Sequence, residues 1–195
     1  MIKTNLPKGE RSPLYRRSSR IYFLLLILCF SAGCLTGSLT GKFFGLDSVL
    51  NDFPGLSTIN SASPIGVFFN YSRFHLVAFL LGSSFLGLAL LPALSFIRGY
   101  ALSCSAATII SGSPTNGIIM AAVAVGIPAL ISLPCFFVIS IDGYMSSARI
   151  FHLVRGSSAP RQDKLYARFL ACVPVLAVGT LILIKFVPYL VSLLT

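Results

Sequence analysis

The sequence predicts an all-α membrane protein, a polytopic helix bundle with about five transmembrane helices. Of its 195 residues, 55% are hydrophobic and only 10% are charged, whereas soluble domains carry about a quarter charged residues. Several apolar segments are long enough to cross the hydrocarbon core of a bilayer. We therefore predict one membrane domain, residues 21–195, behind a basic tail, residues 1–20.

The basic residues indicate how the chain lies in the membrane. The net charge is +10, from 15 Lys and Arg against five Asp and Glu. Such a balance can indicate nucleic-acid binding, but these bases cluster beside apolar segments, as topology signals do. The tail carries six of them, Lys3, Lys8, Arg11, Arg16, Arg17 and Arg20. We expect membrane lipid, and no nucleic acid, as its partner.

Five apolar segments are the predicted spans, at residues 21–41, 74–94, 96–110, 118–141 and 169–194. The first is expected to be an uncleaved anchor, because no obvious small-x-small cleavage site follows it. The third has only about 15 residues, fewer than a full crossing usually needs. Arg98 and Gly99 mark the predicted turn between the second and third spans, where Arg98 would reach the cytoplasmic headgroups.

The positive-inside rule orients this arrangement. With the N-terminus in the cytoplasm, the inner side receives six bases from the tail, Arg98, and five from residues 143–168, together 12 of 15. Inversion would place those 12 outside. We therefore predict a bacterial cell membrane protein with a cytoplasmic N-terminus and an outer C-terminus.

Small residues and prolines mark candidate packing positions. Gly33, Gly37 and Gly41 lie four residues apart, so they share one helix face and allow another backbone to approach closely. The contact could be ordinary bundle packing or a partner interface. Gly82 and Gly87 give the second span a similar small surface. In the fourth span Pro128 and Pro134 predict a bend or break, which would either serve packing alone or free carbonyls to line a solute path.

The longest polar connection, residues 42–73, is the predicted outer loop. Two roles remain open for its aromatic residues, which would either anchor a partner protein or seat the loop among the headgroups. The candidate outer contact residues are Phe43, Phe44, Asp47, Asp52 and Phe53.

No catalytic, cofactor or metal site is predicted. The five cysteines form no CxxC pair, and two histidines are too few for the usual clustered metal ligands. Neither a Walker motif nor an HExxH motif occurs. We therefore expect a protein that is not an enzyme and has no cofactor.

Three short segments resemble the stage II sporulation protein M family of multi-pass bacterial membrane proteins. They are FLLG at residues 79–82, FIRGYAL at 96–102 and GIPALISLP at 126–134. Gly33 and Gly37 match a small-residue pattern in that family's first span. The resemblance implies a non-enzymatic role, since the founding member acts during engulfment as a membrane platform that holds cell-wall hydrolases.

The leading functional expectation is therefore a scaffold or assembly factor, with other membrane or cell-wall-modifying proteins as partners and sporulation as one process. The alternative is a small-solute transporter or channel subunit, and an intramembrane enzyme is a distant third. A transporter needs polar groups near the bilayer midplane. In the predicted layout Arg98, Asp142 and Lys185 all lie near span ends, which favours the scaffold.

Overall fold

A computed structural model describes residues 13–44, 64–112, 116–154 and 165–194. Helices α1 (Pro13–Phe44), α2 (Pro64–Gly82) and α3 (Gly87–Gly112) are followed by a composite helix α4 and by α5 (Leu165–Leu194). Helix α4 comprises Gly117–Ala121, a π-helical segment Ala122–Gly126, and Ile127–Val154. The described residues contain no strand, which confirms the all-α fold class.

Among the described residues, four helices are long and apolar enough to cross a membrane. They contribute the segments Arg20–Gly41, Gly87–Gly112, Gly117–Phe151 and Leu165–Lys185. Helix α2 has 19 residues and carries Asn70, Arg73 and His75 within its apolar sequence. The membrane location predicted from composition is thus supported by helix length and hydropathy together.

The second and third predicted spans differ from the helices. Helix α2 starts at Pro64, and the chain turns at residues 83–86 before α3 begins at Gly87. Helix α3 then continues unbroken through Arg98 and Gly99, which places the predicted turn inside a helix. The physical reason is that Gly82, Ser83 and Ser84 supply the turn composition, whereas Gly99 is needed for a close helix contact.

Neighbouring contacts establish the direction of each helix. Along α1 and α3 the contacts advance together, from Gly33 with Phe96 to Gly41 with Cys104, so these helices are parallel. Helices α2 and α4 are parallel to each other, as shown by His75 with Ser132 and Gly82 with Gly143. Helix α5 runs antiparallel to both, since it contacts α2 through Phe169 near its start and Gly179 further along.

Glycines bring α1 and α3 into backbone contact. A Cβ atom added at Gly37 would lie 2.9 Å from Tyr100 Cα, and one at Gly41 would lie 2.9 Å from the Cys104 carbonyl oxygen. Gly33 meets α3 one turn earlier, where an added Cβ would lie 2.9 Å from the Phe96 carbonyl carbon. All three are buried, so the ridge noted in the sequence faces α3 within the same chain.

The core lies where the five helices meet. Its largest fully buried apolar side chains are Leu26, Leu91, Phe136, Ile139 and Leu176, each at most 2% exposed. Gly82 approaches Gly143 of α4, and the ring of Phe79 stacks on Phe169 of α5 with centroids 4.3 Å apart. These contacts close one end of the bundle and position the polar residues described next.

Candidate functional site: a buried arginine cluster

Arg98 lies in the middle of α3 and points into the bundle. It is about 16 Å along the helix axis from Gly87 and about 21 Å from Gly112 at the usual rise per residue. Only 4% of its surface is exposed. The predicted position at the headgroups is therefore wrong, because the next residue, Gly99, is pressed against Phe30 of α1 and turns Arg98 towards α2 and α4.

The guanidinium is held by α2 and α4. Its Nη2 atom donates a hydrogen bond to the hydroxyl of Ser132. Its central carbon lies 4.6 Å from the ring centroid of Phe136 and 5.4 Å from that of Phe74. Two aromatic faces at this distance stabilise a desolvated cation. The charge is thus accommodated by a hydroxyl group and π systems.

Ser132 also connects this group to His75. His75 is fully buried, and its Nε2 atom lies 3.0 Å from the Ser132 carbonyl oxygen and 3.5 Å from the Ser132 hydroxyl. When Nε2–H donates to the carbonyl, the neutral ring keeps Nδ1 as an acceptor. The His75 ring meets Phe136 edge to face at 6.1 Å. His75 thereby fixes both Ser132 and one aromatic wall of the cluster.

One turn away, Tyr71 joins α2 to an irregular part of α4. Its hydroxyl donates a 2.8 Å hydrogen bond to the carbonyl of Pro128. Pro128 has no N–H group, so the carbonyl of Ala124 loses its usual partner within the helix. Ala124 lies within the π-helical segment, and the N–H of Ile127 bonds to the Ala122 carbonyl. Such π segments occur often at functional sites.

Pro128 and Pro134 do not break α4, and the predicted bend at these positions stays a prediction. Pro128 is buried beside the π segment, and Pro134 lies within the continuous helix Ile127–Val154. The irregularity is a change of hydrogen-bond register before Pro128. That register change keeps the helix continuous, and Ser132 follows one turn later.

The buried cluster has unmet hydrogen-bonding capacity. Within the described chain, Arg98 Nε and Nη1 have no hydrogen-bond partner, and neither does His75 Nδ1. Those two arginine nitrogens carry three of the five N–H donors of the group. Each buried donor left unsatisfied costs about 1–3 kcal/mol, and more when it belongs to a charged group.

No carboxylate of the described residues neutralises Arg98. Their one acidic residue is Asp142, which accepts hydrogen bonds of 2.6 and 2.7 Å from Arg168 Nη1. Asp142 is also ten positions beyond Ser132 on α4, about 15 Å along the axis. The Arg98 cluster therefore carries a positive charge without a nearby anion among these residues.

The remaining predicted site residues are distributed differently. Gly82 packs on Gly143, and Gly87 sits against Leu81 and Ser147 at the turn before α3. Phe43 and Phe44 belong to the last turn of α1. Asp47, Asp52 and Phe53 lie outside the described residues. The structure thus relates the glycines to helix packing and leaves the outer contact hypothesis as a prediction.

The described part of the chain contains no group of three or more His, Cys, Asp or Glu side chains that could hold a metal ion. Its cysteines are free, and Cys104, Cys135 and Cys172 are buried. The sequence expectation of no metal site remains a prediction for the whole chain.

Comparison with known proteins adds no assignment. No protein-family model, curated protein or solved structure matches this chain. The buried Arg98 cluster and the helices that surround it are therefore the features that bear on function.

Proposed function

We propose that this chain is a small-solute transporter or channel subunit, and that its solute binds at the Arg98 cluster. The observation that carries the proposal is the cation in the middle of α3 with unmet donors. Ionisable residues inside membrane segments are costly and typically mark substrate or ion pathways. The burial of Arg98 in the middle of α3 favours a transporter over a scaffold, whereas a position at a span end would favour the scaffold.

The irregular part of α4 supports the same proposal. Transporters bind solutes near the midplane, where interrupted helices expose backbone groups. Here the Tyr71 hydroxyl bonds to Pro128, one turn before Ser132 on α4, and the π segment lies about two to three turns before Ser132. A shift of the register in residues 122–126 would alter the position of Ser132 relative to Arg98, which gives the bundle a means of changing access.

The proposed membrane orientation places the N-terminus in the cytoplasm of a bacterium and the C-terminus outside. The six bases of residues 1–20 and the five of residues 143–168 account for 11 of the 15 Lys and Arg residues. The helix directions bring the start of α1, the end of α4 and the start of α5 to the same end of the bundle. A cytoplasmic position for this end would satisfy the positive-inside rule.

Flux through the purified protein tests the transport proposal. The full chain is reconstituted into liposomes, and uptake is measured for a panel of small cations, anions and neutral solutes. We expect selective uptake of one class, abolished by Arg98→Met and retained by Lys185→Met, which removes a charge from an exposed position on α5. Absence of uptake for the whole panel, with correctly folded protein, would reject transport by this chain alone.

The scaffold function is the second candidate, and the locked α1–α3 pair favours it. Backbone contact along three glycines resists the relative movement of these helices, as suits a rigid platform for cell-wall-modifying partners. The test exchanges residues 45–63 for a Gly/Ser linker of equal length and measures partner recovery by crosslinking in native membranes. Undiminished recovery would exclude this segment as the docking site. A paired Asp47→Lys and Asp52→Lys variant should reduce partner recovery if the segment docks a partner, and should have less effect if the segment only lies among the headgroups.

A further inference from the structure

We infer that the Arg98 cluster is a binding site for a small monovalent anion, a carboxylate or a halide. The inference rests on the proposed function in placing this ligand on a transport path, but binding itself is measured independently. Its basis is the juxtaposition of a buried guanidinium, the Ser132 hydroxyl and two aromatic rings, with three arginine N–H donors left unpartnered.

The sign of the ligand follows from the electrostatics of the cluster. Arginine is protonated under all physiological conditions and donates hydrogen bonds without accepting any. Among the described residues the one carboxylate, on Asp142, already pairs with Arg168. An anion would supply both the missing acceptors and the missing charge. A cation would meet repulsion from Arg98, and a neutral solute would leave the charge uncompensated.

The valence of the ligand follows from the single buried charge. His75 and Phe136 beside that charge are fully buried, so we choose probes of a few atoms, which displace these side chains least. A single negative charge neutralises the single guanidinium, whereas a divalent anion would leave a buried net charge, which is costly in an apolar interior. Formate therefore serves as the carboxylate probe and chloride as the halide probe.

Arg98 would contact the ligand directly, whereas Ser132 and His75 would be positioning residues. Ser132 occupies Nη2 and orients the guanidinium, so that Nε and Nη1 are presented to the ligand. His75 holds the Ser132 backbone through the 3.0 Å contact at Nε2. Loss of either positioning side chain should weaken binding while leaving selectivity for anions intact.

Binding is tested on the full chain in non-ionic detergent. Unfolding temperature is followed with a thiol-reactive fluorogenic dye while formate or chloride replaces gluconate at constant ionic strength. A ligand that binds the folded state raises this temperature with the logarithm of its concentration above Kd. We expect this rise for the parent and for Lys185→Met, its loss in Arg98→Met, and a shift to higher concentration in Ser132→Ala. Titration of ¹³C-formate, followed by the broadening of its NMR line, gives a direct second measurement.

The outcomes separate this inference from the proposed function. Anion-dependent stabilisation without flux supports the site and rejects transport. Flux that is selective for another solute class, with no stabilisation by formate or chloride, supports transport and overturns the anion site. If Arg98→Met fails to fold, Arg98→Lys keeps the charge and should retain anion selectivity with weaker binding. A flat response of the parent to both anions in both measurements overturns the inference.

Discussion

Replacement of Gly37 by alanine tests the backbone contact between α1 and α3. A Cβ atom at this position would lie 2.9 Å from the Cα atom and 3.0 Å from the carbonyl carbon of Tyr100. Carbon atoms pack best at about 3.5–4.0 Å, so α1 and α3 would have to separate by about 0.6–1 Å. The obstructing atoms, which also include the Tyr100 carbonyl oxygen, all belong to backbone, so no side-chain rotation can relieve the contact.

The expected cost is obtained by comparison with a glycine in open space. Overpacking of this kind typically costs about 1–3 kcal/mol, while alanine gains about 1 kcal/mol over glycine in a helix interior. Gly126 has nothing within 4 Å of an added Cβ. Gly126→Ala should therefore show the gain alone, and the difference between the two variants isolates the packing cost.

The free cysteines provide the assay. Cys104, Cys135 and Cys172 are buried, so a thiol-reactive dye reports their exposure during thermal unfolding in detergent. A packing cost of about 2 kcal/mol should place the midpoint of Gly37→Ala about 4–8 °C below that of Gly126→Ala. Gly37→Leu should lower it further. Equal midpoints for the two alanine variants would refute the backbone contact between α1 and α3.

Three further outcomes are expected. In a cysteine-free background, cysteines at Ser18 and Ser157 should both resist labelling from outside intact cells, since both segments are basic; labelling of either would contradict the orientation. Tyr71→Phe should lower stability by about 0.5–1.5 kcal/mol through loss of its hydrogen bond to α4, measured by unfolding in mixed micelles; an unchanged stability would show that this bond makes no net contribution. A double-mutant cycle with Asp142→Asn and Arg168→Gln should give a coupling energy of about 1 kcal/mol, because the Arg168 side chain is 40% exposed. Strict additivity of that pair would contradict the ion pair.

Composition and local pattern were sufficient to predict the all-α membrane fold class. A chain that faces lipid carries few charged residues and has apolar segments long enough to cross the bilayer. The glycine spacing of α1 also indicated a close helix contact. The sequence did not identify the contacting helix, because the spacing describes one face of α1 and holds no information about its neighbour. Cys104 and Tyr100 became the partners only through the packing of α3.

The arginine cluster was missed for a related reason. Arg98 followed by Gly99 has the composition of a turn, and Asn70 and Arg73 give the start of α2 the character of a polar loop. Two local signals pointed to the observed helices: the sequence Gly-Ser-Ser at residues 82–84, and proline at the first position of α2, where its missing N–H is tolerated. The environment of Arg98 comes from α2 and α4, so hydropathy assessed along α3 alone assigns it to the surface.

The glycine contacts and the arginine cluster depend on each other through the rotation of α3 about its axis. Gly99 is pressed against the Phe30 carbonyl, and Ser95 donates a 3.0 Å hydrogen bond to the Leu26 carbonyl on the same side. With that face of α3 fixed on α1, the neighbouring Arg98 must face α2 and α4. The same close packing leaves Arg98 only 4% exposed, and electrostatic interactions strengthen as the surrounding dielectric falls. The ridge of α1 therefore contributes to the chemistry of Arg98 without touching its guanidinium.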